Sequence, residues 1–320
     1  MIRYIVRRVL WGAALLVIVS AVVFLIFYVL PTADPAKLRV GRNPNPALIE
    51  QIREQLHLND PIYVQYWEYL KGVFLHFDLG HSYVSQAPVK EIIFDRLPAT
   101  ALLVAGAVVI WLAIGLPVGI VSAIRRRSLM DRTMMVTTLA LISAPVFWLG
   151  LVALYLFADD VGVVQIFPGQ GSYIGADSFA AKSWSMFLPW IVLAAATAAI
   201  YARYLRSSMI DTMAEDYIRT ARAKGLRERD VVLRHGVRSA ITPIVTLLGL
   251  DVGLLLAGNA ILTESVFNIP GIGHQIVLSI RRSDLPMIQG IVLFGAFFII
   301  VFNLIVDIVY AYLDPRVRYK

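Results

Sequence analysis

The residues best suited to chemistry in this sequence lie in a polar, basic segment that runs from Glu215 to Pro243, EDYIRTARAKGLRERDVVLRHGVRSAITP. Arginine side chains present planar forks of N–H donors that pair with carboxylates on a second surface. Small Ala221 and Ala223 stand beside a glycine and allow another backbone to come close. The chemistry that this segment favours is recognition of an acidic partner rather than catalysis.

A helix, a glycine turn and a second helix are predicted inside the segment. Residues 216–224 fit a short helix, and Gly225 stands where a helix C-terminus favours a residue at positive φ. Glu228 and Asp230 supply the negative charge that favours a new helix N-terminus. A lipid-facing amphipathic loop has the same pattern, so these residues alone leave docking and membrane contact as alternatives.

The elements that must position this segment cross a membrane. Hydrophobic residues make up 58% of the 320-residue chain and the mean hydropathy is +0.71, which exceeds the roughly half apolar content of soluble domains. Helical spans need about 17–25 mostly apolar residues. Six such stretches are predicted, at approximately 9–30, 99–123, 134–158, 186–204, 244–263 and 287–311. The first is longer than the apolar region of a cleaved signal peptide, which remains the alternative.

The positions of lysine and arginine predict the orientation. Cytoplasmic loops are rich in these residues, and 19 of the 29 fall before the first span, between the second and third, from Arg203 at the end of the fourth to the fifth, or after the sixth. Both termini are therefore expected in the cytoplasm. The net charge of +7 is assigned to topology and to contact with lipid headgroups, and no nucleic-acid partner is expected.

Residues 31–98 form the one sizeable extracytoplasmic segment in this topology. Its aromatic stretch, residues 62–77, predicts a lid or a platform for an external partner, with an interfacial aromatic belt as the alternative. His57, His76 and His81 have no neighbouring carboxylates at metal-ligand spacing, so solvated histidines are expected. The chain has no cysteine, which excludes disulfides and thiolate metal sites.

Within the spans, small residues predict close helix packing. Gly115 and Gly119 flank Pro117, and Gly249, Gly253 and Ala257 recur every four residues in the fifth span. Asp251 lies in the same span on another face. A carboxylate at that depth must face a cavity or a partner, so Asp251 is predicted to line a substrate pathway, with a hydrogen bond to a neighbouring helix as the alternative. Glu264, Asn303 and Asp307 are expected to be packing or interfacial residues.

Several segments together resemble one family, the ABC-type import permeases of the dipeptide, oligopeptide and nickel branch. They are YIRTARAKGLRERDVVLRHGVRSAITP, FDLGHSYVSQAPV, RLPATALLV, SAPVFWLG, TESVFNIPGIGHQIVLSIRRSDLPMIQG and the terminal AYLDPRVRY. The resemblance covers nearly the whole chain and is closest to the first permease subunit of dipeptide or oligopeptide systems. It implies an all-α integral membrane protein with six transmembrane helices and the type I importer permease fold.

The resemblance also implies which residues contact a partner. In this family the segment forms a coupling helix that sits in a groove of an ATPase subunit. The family's Glu-Ala-Ala pattern, placed on Gly225, falls on Arg219, Thr220 and Ala221, so the glutamate and the first alanine are absent here. The expected ATPase-contacting residues are Arg219, Thr220, Ala221, Gly225, Leu226, Arg227 and Glu228.

The implied organisation is a tail and first span (1–30), an extracytoplasmic segment (31–98), a five-helix core that contains the coupling loop 205–243 (99–313), and a C-terminal tail (314–320). The implied partners are a second homologous permease, two cytoplasmic ATP-binding subunits and an extracytoplasmic substrate-binding protein. No cofactor is expected in this chain, and ATP and Mg are expected on the ATPases. The implied location is the plasma or inner membrane.

Three classes of function are separated by the sequence. The chain lacks the phosphate-binding motif G-x-x-x-x-G-K-S/T, which fits a subunit powered by another chain. A membrane enzyme would cluster acidic, histidine or cysteine residues at one depth, and the five histidines here are scattered. A stand-alone secondary transporter would need inverted repeats or paired intramembrane charges. Import of short peptides by an ABC permease is predicted, with nickel complexes or another small solute as alternatives.

The topology is open to a direct test, because the chain has no native cysteine. Asn45→Cys is expected to react with a membrane-impermeant maleimide in intact spheroplasts, and Gly225→Cys only after permeabilisation. The measurement is labelling of the purified protein from each preparation. Labelling of the cysteine at position 45 only after permeabilisation would contradict the orientation.

Overall fold

The computed structural model describes residues 2–29, 36, 46–55 and 59–313, which leaves Asn45, His57 and the predicted C-terminal tail outside. Over these residues the fold is helical, and the only extended pairings are two isolated bridges. The helices are α1 (Ile2–Phe24), α2 (Pro46–Gln55), α3 (Ile62–Leu75), α4 (Val89–Ile124), α5 (Leu129–Ser143), α6 (Val146–Phe157), α7 (Phe179–Ser185), α8 (Phe187–Thr212), α9 (Asp216–Ala223), α10 (Glu228–Asp230), α11 (Arg238–Ala240), α12 (Thr242–Leu254), α13 (Ile261–Val266), α14 (Ile272–Arg281) and α15 (Leu285–Leu313). Short π-helical stretches follow α1 (Leu25–Val29), join α10 to α11 (Val231–Val237) and follow α12 (Leu255–Asn259).

Five of the described helices are long and apolar enough to cross a membrane, and a bent pair supplies the sixth candidate span. The five are in α1, α4, α8, α12 and α15. The pair is α5 and α6, which meet at an angle of 101°. The predicted third span, 134–158, is thus sharply bent next to Pro145, where a proline kink is expected. Proline lacks the N–H that a helix needs and disfavours helical geometry in the residue before it, so Pro145 ends α5 and leaves Ala144 extended, with ψ at 126°.

The helix of the second span is much longer than a bilayer requires. Its 36 residues measure about 54 Å at 1.5 Å per residue, against a hydrocarbon core of about 30 Å. Three arginines, Arg125 to Arg127, follow its C-terminus directly. The first turns of α4, from Val89 toward the predicted start of the span near residue 99, therefore project beyond the core on the other side.

The predicted fifth span, 244–263, corresponds to Thr242–Asn259 in the structure and ends earlier than predicted. After α12 the chain passes through π-helical Leu255–Asn259, and Gly258 adopts φ 103°, which turns the chain before α13 begins. Another backbone crosses at this point, since a Cβ built on Gly273 would lie 2.6 Å from the carbonyl oxygen of Gly258. The predicted end near residue 263 was too late, because left-handed backbone conformation at a glycine ends a helix irrespective of hydropathy.

The small residues make the close helix contacts that the sequence predicts. A Cβ on Gly115 would meet the carbonyl oxygen of Ala198 at 2.8 Å, so α4 crosses α8 almost backbone to backbone. Gly249 and Gly253 receive the side chains of Val306 and Phe302, which packs α12 closely against α15. These crossings organise the largest apolar core, in which Trp111, Tyr201 and Leu205 are completely buried.

The aromatic stretch after residue 61 is divided between packing and exposure. Tyr66 donates its hydroxyl hydrogen to the carbonyl oxygen of Val17 at 3.1 Å, and its ring lies against Phe24. Tyr63 and Trp67 on the same helix remain exposed. One face of α3 is therefore anchored to α1 and the other is free to contact lipid headgroups or another protein.

The α4–α8 crossing predicts a steric penalty at Gly119. A Cβ there would lie 2.7 Å from the carbonyl oxygen of Ala202, so Gly119→Ala is expected to destabilise the fold by about 1–3 kcal/mol through overpacking. The matched control is Gly72→Ala, also in a helix, where the nearest atom is 3.8 Å from the added Cβ. Thermal unfolding of the purified chain in detergent measures both. Equal unfolding midpoints for the two variants would contradict the crossing.

Candidate functional site

The segment between α8 and α12 folds as the sequence predicts. Helix α9 ends at Ala223, Gly225 adopts φ 75°, and α10 begins at Glu228. A Cβ built on Gly225 would have no atom of this chain within 4 Å, so the glycine is required here by its backbone angle and not by crowding. The segment, residues 215–243, is called the coupling segment below.

A small core holds the coupling segment together. Ile218 and Ala221 from α9 pack with Val231, and all three are buried. Ala221, which was predicted to contact a partner, thus turns its side chain into the segment itself. Its small methyl group lets α9 approach the π-helical stretch that begins at Val231, and the turn at Gly225 connects the two elements.

An ion pair closes the turn from outside. Arg222 donates to Glu228 through Nε at 3.1 Å and through Nη2 at 2.8 Å. These hydrogen bonds lower the pKa of Glu228 and raise that of Arg222. Because the folded pKa of Glu228 is the lowered one, the pair stabilises the turn above the ordinary glutamic acid pKa and loses this contribution as pH falls through the lowered value. Both side chains are largely exposed, so the contribution is small.

The outer surface of the turn is available for contact. Arg219, Thr220 and Arg227 are exposed, and Leu226 leaves 43% of its surface accessible. A projecting leucine surrounded by arginines offers an apolar anchor and donors for carboxylates to a docked surface. The structure thus leaves six of the seven predicted contact residues exposed, on α9, on the turn and at the start of α10, while the contact itself stays a prediction.

The coupling segment is fastened to the end of α8. A Cβ on Gly236 would lie 2.9 Å from the sulfur of Met213, and the hydroxyl of Ser208 donates to the carbonyl oxygen of Ala240 at 2.9 Å. Because both contacts reach back to the last turns of the fourth span, a displacement of the segment must carry that end of α8 with it.

A buried ion pair near this junction was missed by the sequence reasoning. Asp131 on α5, only 3% exposed, accepts hydrogen bonds from Arg206 on α8 at 2.8 Å to each carboxylate oxygen. The hydroxyl of Ser122 and the backbone N–H of Arg127 also donate to this carboxylate. In the sequence, Arg206 is one of the basic residues that predict the orientation, although an arginine within an apolar helix also indicates a buried partner.

Asp251 lies in an interhelical hydrogen bond. The hydroxyl of Tyr201 on α8 donates to its carboxylate at 2.7 Å, and the ring of Tyr201 lies 5.7 Å from that of Trp111 on α4. This is the structural alternative that the sequence left open, and it is present in the isolated chain. The carboxylate is half-buried, and its role in a substrate pathway stays a prediction.

The other intramembrane acids take part in packing, as expected. Glu264 is fully buried and accepts hydrogen bonds from the Thr100 hydroxyl and the His274 backbone N–H, each at 2.7 Å. Asp307 pairs with Arg8 at 2.8 Å and so joins α15 to α1. No group of three or more histidine, cysteine, aspartate or glutamate residues that could hold a metal ion occurs in the part of the chain that the structure describes.

Two family models match this chain and together cover nearly all of it. The model of the binding-protein-dependent transport system inner membrane component matches residues 115–319, and the N-terminal model of the same membrane components matches residues 1–104. The chain belongs to this family. It is therefore a permease subunit of an ABC importer, a multi-pass inner membrane protein with the type I importer permease fold and not an enzyme.

Curated relatives of this permease match it from end to end. The glutathione transport system permease protein GsiC of Escherichia coli is 40% identical over 321 residues, which cover 100% of each chain. The proteins of the same name from Salmonella typhi and Salmonella choleraesuis match equally. The match therefore extends over the whole chain and includes residues 215–243.

The buried ion pair predicts a large and specific effect in this permease. Asp131→Asn leaves Arg206 charged and unpaired, so we expect a loss of about 3–5 kcal/mol of stability. The double variant Asp131→Asn with Arg206→Gln is expected to recover much of that loss. Thermal unfolding in detergent measures both variants.

The control is the exposed pair of Asp216 and Arg219, whose side chains are 95% and 73% accessible. Asp216→Asn is expected to change stability by less than about 1 kcal/mol. A double variant less stable than Asp131→Asn alone would show that the charge pairing is not the stabilising interaction.

Proposed function

We propose that this chain is one of two permease subunits that form the translocation pathway of an ABC importer for short peptides. The observation that carries the proposal is the end-to-end match to permeases named for glutathione transport, since glutathione is itself a short peptide. A second, homologous permease completes the pathway. An extracytoplasmic binding protein delivers the peptide to the two permeases.

The coupling segment is the proposed contact with the power source. Two cytoplasmic ATP-binding subunits hold ATP and Mg, and each permease inserts its segment into one of them. Arg219, Arg227 and the projecting Leu226 fit an acidic groove with an apolar floor, because their chemistry complements both features. In this arrangement the chain's termini and the coupling segment face the cytoplasm, on the side of the arginine-rich connections.

The contacts of this chain provide a route from that groove to the spans. When ATP closes the two ATPases, the coupling segment moves and takes the end of α8 with it through Ser208 and Gly236. Arg206 then transmits the displacement to α5 through Asp131. The two half-spans α5 and α6 meet at a sharp bend, so a movement at one end of α5 can change the angle between them.

The function is tested by isolating the complex through a tag on this permease. We expect a second permease and ATP-binding subunits to copurify, and proteoliposomes of the complex with the binding protein to accumulate labelled dialanine only when ATP is present. Uptake without copurifying ATPases, or with ATP replaced by an ion gradient, would contradict the proposal.

The turn at Gly225 provides a sharper test of coupling. Positive φ costs an ordinary residue about 1–2 kcal/mol and a β-branched residue more, whereas asparagine adopts it readily. Gly225→Val is expected to reduce peptide uptake per ATP hydrolysed, or to prevent binding of the ATPases, while membrane insertion is unchanged. Gly225→Asn is expected to keep coupling close to that of the wild type.

The measurement is the ratio of uptake to hydrolysis in proteoliposomes, with the amount of assembled complex determined in parallel. Normal uptake by the valine variant would show that this turn is not the coupling element. Equal defects in the valine and asparagine variants would show that the side-chain volume at this position matters and the backbone angle does not.

A further inference from the structure

A small polar pocket lies where the first turns of α4 meet two connecting segments. It encloses about 290 Å³ and is lined by Ile92, Asp95, Arg96, Ala99, Tyr173 and Pro270. Tyr173 belongs to the connection between α6 and α7, and Pro270 to the turn between α13 and α14. None of these residues takes part in the coupling segment or in the hydrogen bond of Asp251.

The length of α4 places this pocket outside the hydrocarbon core. The C-terminus of α4 meets Arg125 to Arg127, and about 20 residues suffice to cross the bilayer. Arg96 precedes that C-terminus by more than a span length, so the pocket lies at the membrane surface opposite the coupling segment. A charged group there is open to water and to solutes arriving from that side.

The two charges that line the pocket are unusual because neither forms an ion pair with any described residue. Arg96 is half-buried, yet it forms no ion pair within 4.0 Å and no hydrogen bond with any residue described. Asp95, its neighbour, is exposed and equally without an ion pair in the described part of the chain. Lys182 does not line the pocket, although its Nζ lies 5.6 Å from the ring centroid of Tyr173. The pocket lining thus offers one cation and one carboxylate.

The walls of the pocket are held in place from behind. The Thr100 hydroxyl, one residue beyond Ala99, donates to buried Glu264 and accepts from the backbone N–H of Ile272 at 2.9 Å. The side chain of Gln170 donates to the carbonyl oxygen of Val266 at 2.7 Å, which ties the segment carrying Tyr173 to the turn carrying Pro270. A ligand therefore meets a surface that is already ordered, which reduces the entropic cost of binding.

We propose that this pocket receives the terminal carboxylate of a peptide on its way into the translocation pathway, with Arg96 as its hydrogen-bonding partner. A guanidinium binds a carboxylate through two parallel N–H donors, and half-burial strengthens that attraction. Asp95 provides a site for a cationic group of the same solute. The volume is near the lower end of small-molecule sites, about 300–1,000 Å³, so the pocket holds one end of a peptide.

The inference rests on the proposed function, because the carboxylate is assigned to an imported peptide. An anionic lipid headgroup offers the same oxyanion chemistry at a membrane surface. The experiment must therefore distinguish a peptide from a lipid headgroup. It must also measure binding in the pocket independently of transport.

The modification rate of a cysteine in the pocket measures the local electrostatic potential directly. In the assembled complex in nanodiscs, Ile92→Cys is treated with anionic and with cationic methanethiosulfonate reagents of similar size. Adding Arg96→Gln is expected to lower the ratio of anionic to cationic rates about ten-fold, because a nearby positive charge attracts one reagent and repels the other. The control Arg282→Gln removes an exposed arginine that does not line the pocket and is expected to leave the ratio unchanged. An unchanged ratio with Arg96→Gln would overturn the proposal.

Protection of the same cysteine identifies the ligand. Dialanine is expected to slow modification by the anionic reagent, whereas dialanine amide, which lacks the carboxylate, is expected to leave the rate unchanged. The lipid arm compares nanodiscs of phosphatidylcholine with nanodiscs that contain phosphatidylglycerol. Protection by phosphatidylglycerol with none by dialanine would assign the pocket to lipid and overturn the proposal.

Transport supplies the last readout. Arg96→Gln is expected to raise the KM for dialanine uptake about ten-fold, as for loss of one charge-assisted interaction, and to leave the KM for the amide unchanged. Arg96→Lys is expected to give an intermediate value, since it keeps the charge but loses the fork. Wild-type complex that takes up neither compound, yet is protected by dialanine, would contradict the proposed function and support the pocket. Normal uptake by the wild type, with no effect of Arg96→Gln on either KM, would support the proposed function and contradict the role of the pocket.

Discussion

The backbone-to-backbone crossing of α4 and α8 is the constraint on which the rest of this permease depends. Only glycine allows it, because side chains at positions 115 and 119 would strike carbonyl oxygens of α8. Lipid provides no hydrophobic force between helices, so close packing of this kind is a main source of association within a membrane. The crossing fixes both functional regions, since α4 begins at the Arg96 pocket and α8 leads into the coupling segment.

The second constraint is electrostatic. A charge inside the membrane is costly, and two ion pairs between helices each bring opposite charges together here. Arg206 and Asp131 join α8 to α5, and Arg8 and Asp307 join α1 to α15. Each pair bridges elements that are distant in sequence. The pairs therefore work as mechanical links, and the link at Asp131 lies where the coupling segment meets the core.

Breaks in the helices give the fold its shape and its capacity for movement. Pro145 bends the third span, and Gly258 ends the fifth beside the backbone of Gly273. Where a helix breaks in a membrane protein, the freed polar groups must find partners within the protein. Buried Glu264 serves this purpose, because it accepts from Thr100 and from the first turn of α14. The hydrogen bonds of Glu264 and Thr100 also hold the residues next to the Arg96 pocket in place.

The sequence by itself determined the class, the approximate positions of the spans and the local form of the coupling segment. Hydropathy, glycine at position 225 and acidic residues at the start of α10 act between neighbours in the chain, so their effects are readable without a fold. The tertiary structure alone decided which polar and charged side chains meet. Asp131 and Arg206 are 75 positions apart, Tyr201 and Asp251 are 50 apart, and Thr100 and Glu264 are 164 apart. Whether such a carboxylate faces a cavity or a neighbouring helix depends on how helices rotate and cross, and periodicity along one helix cannot specify that rotation.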